Sequence, residues 1–302
     1  MSSVSFIVPV YNKEKYLPFV IESLKNQEGN FDREFIFVDD GSKDNSLKVI
    51  ERLTKNFQNC KIISQKNKGS ASATNVGIRL AKKKYIKFLD ADDVIISSTT
   101  SILLDILEKN KNAVISYGLQ RKVGDISKVD IFQKVKITES NTIEEPTKLA
   151  MTNSMFNPSQ FLARTSACKE VNGCDERIKH SQEYSLTLRL SLKGSFIKFN
   201  DYLAILPFNA PGQISEKKNN QIYRVSKALE LFLIDNKGLD TKLQKYAQRR
   251  LTGRAWRFAK RNLGVGFLST WFLIYLKGLI GFKRDIIKAC KKANEIYEPF
   301  LD

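Results

Sequence analysis

The chain has 302 residues, 42% of them hydrophobic and 27% charged, enough to bury a core without staples and too apolar for disorder as its main state. A single histidine, His180, excludes zinc proteases and carbonic-anhydrase-like sites, which need several imidazoles. The four cysteines, Cys60, Cys168, Cys174 and Cys290, have no C-x-x-C spacing, so a reducing compartment is expected rather than a disulfide framework, redox pair or zinc ribbon. Net charge is +18, and Lys217–Asp302 holds 19 basic against 7 acidic residues, so +12 of it lies in the last third.

Ser5–Val10 is an apolar run that predicts a strand almost at the N-terminus, followed by a polar turn at Tyr11–Lys15 and a helical pattern through Ile21, Leu24 and Lys25. No basic region precedes the first strand, so no signal peptide is expected. Phe35–Val38 predicts a second strand, ended by Asp39-Asp40-Gly41-Ser42. Ser42 or Asp44 could cap the helix carrying Leu47, Ile50 and Leu53. Lys61–Ser64 reads as a third strand. Gly69 and Ser70 open a helix through Val76, Ile78 and Leu80. Tyr85–Leu89 reads as a fourth strand, ended by Asp90-Ala91-Asp92-Asp93. This alternation predicts an α/β fold with a mostly parallel sheet and helices on both faces, its ligand site outside the carboxyl ends of the strands.

Farther on, Ile102–Leu107 reads as helix and Ala113–Tyr117 as strand, while Arg121–Glu145 shows no clear period. Glu183–Lys193 reads as a helix stopped by Gly194, and Pro207, Pro211 and Gly212 mark a loop. Ser215–Asn220 reads as a linker to a helical last third, where Leu243, Ala247, Leu251, Ala255 and Phe258 fall at helical spacing among arginines and lysines. No apolar stretch reaches the ~18 residues of a membrane span.

Two acidic clusters therefore end neighbouring strands at one sheet edge. Carboxylates that close repel unless a cation or hydrogen-bond donors compensate, and Mn²⁺ or Mg²⁺ suits such oxygen ligands better than zinc. The alternative is that each cluster is a polar, helix-capping turn.

The motifs in order resemble glycosyltransferase family 2 of the GT-A fold: Val4–Asn12; Val38–Ser42 with Asp44 and Ser46; Lys66–Gly69 with Asn75 and Gly77; Asp90–Asp93; and Asn172–Glu176 with Gln182-Glu183-Tyr184. The resemblance implies a GT-A, Rossmann-like domain over 1–215, with a nucleotide-binding half over about 1–95 and an acceptor half over about 96–215, then a basic amphipathic helical region over 216–302. It implies an inverting, metal-dependent transferase using a nucleotide-sugar, UDP by expectation, on a saccharide or lipid-linked acceptor in bacterial surface polysaccharide synthesis. Pro9, Val10, Tyr11, Asn12, Asp40, Lys68, Gly69, Asn75, Asp90 and Ala91 would bind the nucleotide, with Tyr11 against the base. Asp92, with Asp90 and Asp93, would hold the metal. Glu183 would be the general base, and Asp175, Glu176, His180, Gln182 and Tyr184 would lie on the acceptor side.

The chain departs from the family's pattern in three places: Gln182-Glu183 stands for Glu-Asp, Thr74 for an arginine, and Ala210 near the place of a late metal-binding histidine. An inactive homologue acting as a binding or assembly partner is the alternative reading. Nucleic acid is not an expected partner, since RNA-recognition and zinc-finger patterns are absent. The missing Gly-rich N-terminal loop argues against a nucleotidyltransferase. The aromatic, basic tail predicts peripheral contact with an anionic membrane at the inner face of the cell membrane, with the body cytoplasmic; a purely structural or dimer-forming tail is the other reading.

Overall fold

In the computed structural model, residues 2–135, 139–178, 182–208, 218–280 and 286–300 are described. They pack as two compact units, Met1–Pro146 with Met155–Pro211, and Thr147–Ser154 with Gly212–Asp302.

In the first unit, β1 (Ser3–Val10), α1 (Leu17–Lys25), β2 (Asp32–Asp39), α2 (Ser46–Leu53), β3 (Cys60–Ser64), α3 (Ser70–Leu80) and β4 (Tyr85–Phe88) follow the predicted alternation. Then come β5 (Val94–Ile95), α4 (Thr99–Lys109), β6 (Ala113–Val123) and β7 (Ser140–Ile143). After α5 (Thr147–Thr152), which belongs to the second unit, the first resumes with β8 (Phe161–Arg164), α6 (Thr165–Glu170), α7 (Gln182–Leu190) and β9 (Ser195–Pro207).

Among the described residues nine strands form one sheet in the order β3-β2-β1-β4-β8-β6-β9-β5, with β7 also on β9. Strands β1, β2, β3, β4, β6 and β9 point one way; β5, β7 and β8 run against them.

Alternation along β1 assigns its faces. Val4, Phe6, Val8 and Val10 pack with Leu17, Val20 and Leu24 of α1, Ile50 of α2 and Leu103 of α4. Ile7 packs on the other side with Ala73 and Ile78 of α3, Cys168 of α6 and Leu186 of α7. Helices thus cover both faces, as a mostly parallel sheet requires. Val10 pairs with Asp39 and Ile7 with Phe88, so the acidic segments after β2 and β4 leave the sheet on either side of the end of β1.

The second unit is helical: α5, α8 (Lys218–Asp235), α9 (Thr241–Asn262), α10 (Thr270–Ile280), α11 (Ile286–Asn294) and a 3-10 segment at Glu295–Phe300. Asp240 caps α9, its carboxylate accepting from the Lys242 N–H at 2.7 Å. Ala255, Phe258, Ala259, Ala293, Ile296 and Tyr297 form its core. The basic residues of α9 are not all on its solvent side. Arg254 is buried, and Arg250 and Arg254 both donate to the Thr152 carbonyl at the end of α5, a favourable place for cations.

Candidate active site

The turn after β1 is stitched to the turn after β2. Asn12 adopts φ 52°, an αL geometry that asparagine tolerates, and accepts from the Lys43 N–H through its side chain at 2.7 Å. Its own N–H donates to Ser42 Oγ, and the Lys13 N–H donates to Ser46 Oγ at 2.8 Å. Asp44 accepts from the Ser46 N–H and hydroxyl and from the Glu14 N–H, and these bonds hold its carboxyl below the usual range against the opposing effect of burial. The N-cap of α2 is Asn45, which makes no side-chain capping bond, so neither Ser42 nor Asp44 is the cap expected; Asp44 instead accepts from the first helical N–H, that of Ser46. Tyr11 is 40% exposed at the rim, available for stacking.

Asp40 is buried and organises the loop before α3. Its carboxylate accepts from the Gly69 N–H at 2.7 Å, the Lys68 N–H at 2.9 Å and Gln65 Nε2 at 2.7 Å. Asp40, Lys68 and Gly69 are therefore brought together, by backbone bonds that shape the loop. Asn75 lies elsewhere. Its side chain accepts from the Cys174 N–H at 2.7 Å and donates to the Cys174 carbonyl at 2.9 Å and to Glu176 at 2.8 Å, clasping the Cys174–Glu176 segment. Gly173 makes room for this clasp: at φ +67°, a Cβ there would come within 2.2 Å of Asn75 Oδ1.

The segment after β4 concentrates charge. Lys13 Nζ lies 2.6 Å from Asp92 Oδ2. Ala91 and Asp93 are buried, and Asp93 accepts from the Ser159 hydroxyl at 2.6 Å. Ser159 Oγ also accepts from the Asp90 N–H at 3.0 Å. Lys87, fully buried in β4, donates to the carbonyls of Phe88 and Ser159, and burial pulls its ammonium down to about 7. Burial, then the charges of Asp92 and Glu183, push the Asp90 carboxyl up to about 8. Burial, then the charges of Asp92 and Asp90, push Asp93 up as well.

Glu183 stands on the first turn of α7, partly buried, and burial raises its carboxyl. It lines a small cavity with Pro9, Thr74, Phe88, Phe161 and Cys174. Pro9 and Glu183, 174 positions apart in sequence, thus line one cavity, as does Thr74, which stands where an arginine was expected and has a buried hydroxyl. Asp175 is buried between Arg177 at 2.6 Å and Arg189 at 3.1 Å, which hold its carboxyl low against burial. Tyr184 is fully buried and packs inside, and Glu176 faces Asn75 and Arg79. His180 and Ala210, and the Gln182 side chain, lie outside the described residues.

Residue patterning did not point to Lys13, Lys87 or Ser159 as parts of this site. Lys87 alone carried a signal, a charged residue inside an otherwise apolar strand.

Among the described residues, no three acidic, histidine or cysteine side chains gather to enclose an ion. Asp92 turns to Lys13, and Asp93 accepts from the Ser159 hydroxyl. The residues fit a looser arrangement, in which a hard cation takes one or two carboxylates and completes its shell with substrate phosphates. The raised carboxyls of Asp90 and Asp93 mark negative charge that a cation would relieve.

The sequence profile described as Glycosyl transferase family 2 matches residues 5–171, more than half of the chain. The chain belongs to glycosyl transferase family 2. This family 2 chain is 31% identical over 204 residues to a chondroitin synthase of Escherichia coli, a match covering 65% of the chain and 28% of that protein. It is 29% identical over 197 residues to a hyaluronan synthase of Pasteurella multocida, covering 65% of the chain and 19% of that protein. The match thus spans less than a third of either relative. The structure resembles S. aureus TarS 1–349 in complex with UDP-GlcNAc, with TM-score 0.67 and 17% identity over 99% of this chain and 92% of that one. It also resembles the mannosyltransferase PcManGT from Pyrobaculum calidifontis in complex with GDP-Man and Mn²⁺, with TM-score 0.57 and 13% identity over 97% and 86%. The family 2 fold is GT-A, as the motif resemblance implied.

Proposed function

We propose that this family 2 glycosyltransferase transfers a hexosyl or N-acetylhexosaminyl group, with inversion, from a UDP-sugar to a saccharide or lipid-linked acceptor in bacterial surface polysaccharide synthesis, at the cytoplasmic side. The observation that carries this reading is the meeting, at one sheet edge, of the turn after β1, the Asp40 loop and Asp90–Asp93, with Glu183 close enough to raise the Asp90 carboxyl. The polysaccharide synthases among the relatives and the UDP-GlcNAc complex of TarS support the donor and product class.

In this reading Tyr11 stacks on the base, with Pro9, Val10 and Asn12 forming the rest of its pocket. Asp40 holds the Lys68–Gly69 backbone in the shape that receives the nucleoside. Asp90 faces the ribose, and Asp92 with Asp90 or Asp93 would hold Mn²⁺ or Mg²⁺ against the diphosphate. The cation, when bound, neutralises charge on the leaving nucleoside diphosphate. Glu183 accepts the acceptor hydroxyl proton as that oxygen attacks the anomeric carbon opposite the leaving group. Its partial burial favours a proton-accepting role near neutral pH, because a raised carboxyl holds a transferred proton better than an exposed one. Asp175 and Glu176, clasped through Asn75, shape the acceptor side.

The test is release of nucleoside diphosphate from a panel of UDP-, GDP- and dTDP-sugars with saccharide acceptors. UDP release that needs an acceptor supports the reading. Pyrophosphate release, or no turnover with any donor, contradicts it.

A further inference from the structure

The turn between α9 and α10 carries side chains that folding has not buried. Leu268 is 98% exposed, the highest value among the large apolar side chains described, and Phe267 is 65% and Leu263 45% exposed. On α10, Ile280 is 71% and Leu273 51% exposed. Packing elsewhere on α10 explains which face is left over. Gly278 meets Thr252 of α9 so closely that a Cβ there would come within 2.3 Å of the hydroxyl oxygen. Trp271 and Ile274 pack on the core of the second unit. Leu273, Lys277 and Ile280, at i, i+4 and i+7, share the outward row. The turn is braced from below: Phe267 packs against Trp256 and Phe272, and Lys260 Nζ lies 5.9 Å from the Phe267 ring centre.

Charge says what this face meets. From Thr241 to Arg284 the sequence has eleven lysines and arginines and no aspartate or glutamate. Arg257, Lys260, Arg261 and Lys277 of this stretch are exposed. Exposed leucine, isoleucine and phenylalanine, with Lys260 over Phe267 and Lys277 in the row of Leu273 and Ile280, match an interface that is anionic at its surface and apolar just beneath. A second copy of the same face would oppose cation to cation, and a nucleic acid backbone offers Leu268 and Ile280 nothing apolar to enter. Among the described residues no helix is long and apolar enough to cross a membrane.

We infer that this face docks on an anionic lipid bilayer. Leu268 and Phe267 enter the acyl boundary, Leu273 and Ile280 lie along it, and Lys260, Arg261 and Lys277 meet the headgroups. The inference does not depend on the transfer chemistry proposed above.

The test is flotation of the full chain with phosphatidylcholine vesicles, with and without phosphatidylglycerol, across a salt series. Binding is expected to the anionic vesicles only and to weaken with salt. Leu268→Asp, at a site that packs against nothing, is expected to leave the melting temperature unchanged and weaken binding roughly tenfold or more. Lys260→Gln and Arg261→Gln are each expected to weaken it about fivefold. No binding to anionic vesicles, or equal binding by Leu268→Asp, overturns the inference. So does a sedimentation result in which Leu268→Asp turns a dimer into a monomer while vesicles bind neither form, since that gives the face to a second copy. Transferase activity in detergent-free buffer reads the active site separately, so the two proposals can fail independently.

Discussion

Lys13 and Asp92 form an ion pair at 2.6 Å that ties the turn after β1 to the acidic segment after β4, each side chain about one-seventh exposed. A lysine thus stands on the carboxylate that the proposed function gives to the cation, and under that proposal the two compete for it. Lys13→Gln should tighten Mn²⁺ binding to the UDP-saturated protein by roughly tenfold, the worth of a charged hydrogen bond. Titration calorimetry reads this directly. Unchanged or weaker Mn²⁺ binding would show that Lys13 does not compete for Asp92.

Glu183→Gln keeps shape and removes the proton acceptor. Donor binding should stay within about twofold, while kcat falls by about 10²–10⁴. Because burial raises the Glu183 carboxyl, the acid limb of the wild-type kcat/KM profile should lie above the ordinary glutamate range, with activity rising as the group ionises. The variant should lack that limb. Retained transfer in Glu183→Gln would remove it from the mechanism.

Asp90 predicts a pH dependence of stability. Its carboxyl is pushed from 3.8 up to about 8, so between these values the folded chain holds a proton that the unfolded chain has lost. Stability from this group is full below about pH 4 and is lost as pH rises through about 8. Asp90→Asn should therefore raise the melting temperature more at pH 8 than at pH 5. The difference should be at least about 2–4 °C, what ~1 kcal/mol produces in a chain of this size. An equal shift at both pH values would contradict this.

The Asn75 clasp should matter for stability first. Asn75→Ala leaves the buried Cys174 N–H and carbonyl without their partner and should cost about 2–4 kcal/mol. Gly173→Ala, forced into φ +67° against Asn75 Oδ1, should be comparably destabilising. Denaturant melts of both variants check this. Wild-type midpoints in both would show that the segment is held by other contacts.

The parallel half of the fold was legible because β1 to β4 alternate with amphipathic helices and each strand ends in a distinctive polar turn. Strand β8 was not, because four residues carry too little period to show, and its place between β4 and β6 depends on pairing with strands distant in sequence. The long β9 was hidden by Asn200 and Asp201, which interrupt its apolar pattern. At the site, the acidic clusters and Glu183 stood out as residue types in order. Ser159 did not, since a lone serine becomes meaningful only when folding sets its hydroxyl between Asp90 and Asp93. Lys13 lay inside a recognised turn, yet its partner is 79 positions away. The α9 arginines were visible as charge, but their bonds to the Thr152 carbonyl come from a helix nearly a hundred residues earlier.

The most direct test is thermal melting with UDP-, GDP- and dTDP-sugars, each with and without Mn²⁺, on the wild-type chain and on Asp92→Ala. Ligand that binds only the folded state must raise the melting temperature. The expected result is a Mn²⁺-dependent rise with UDP-sugars that Asp92→Ala loses. A folded wild-type chain whose melting temperature no nucleotide-sugar moves would contradict a donor site at this sheet edge.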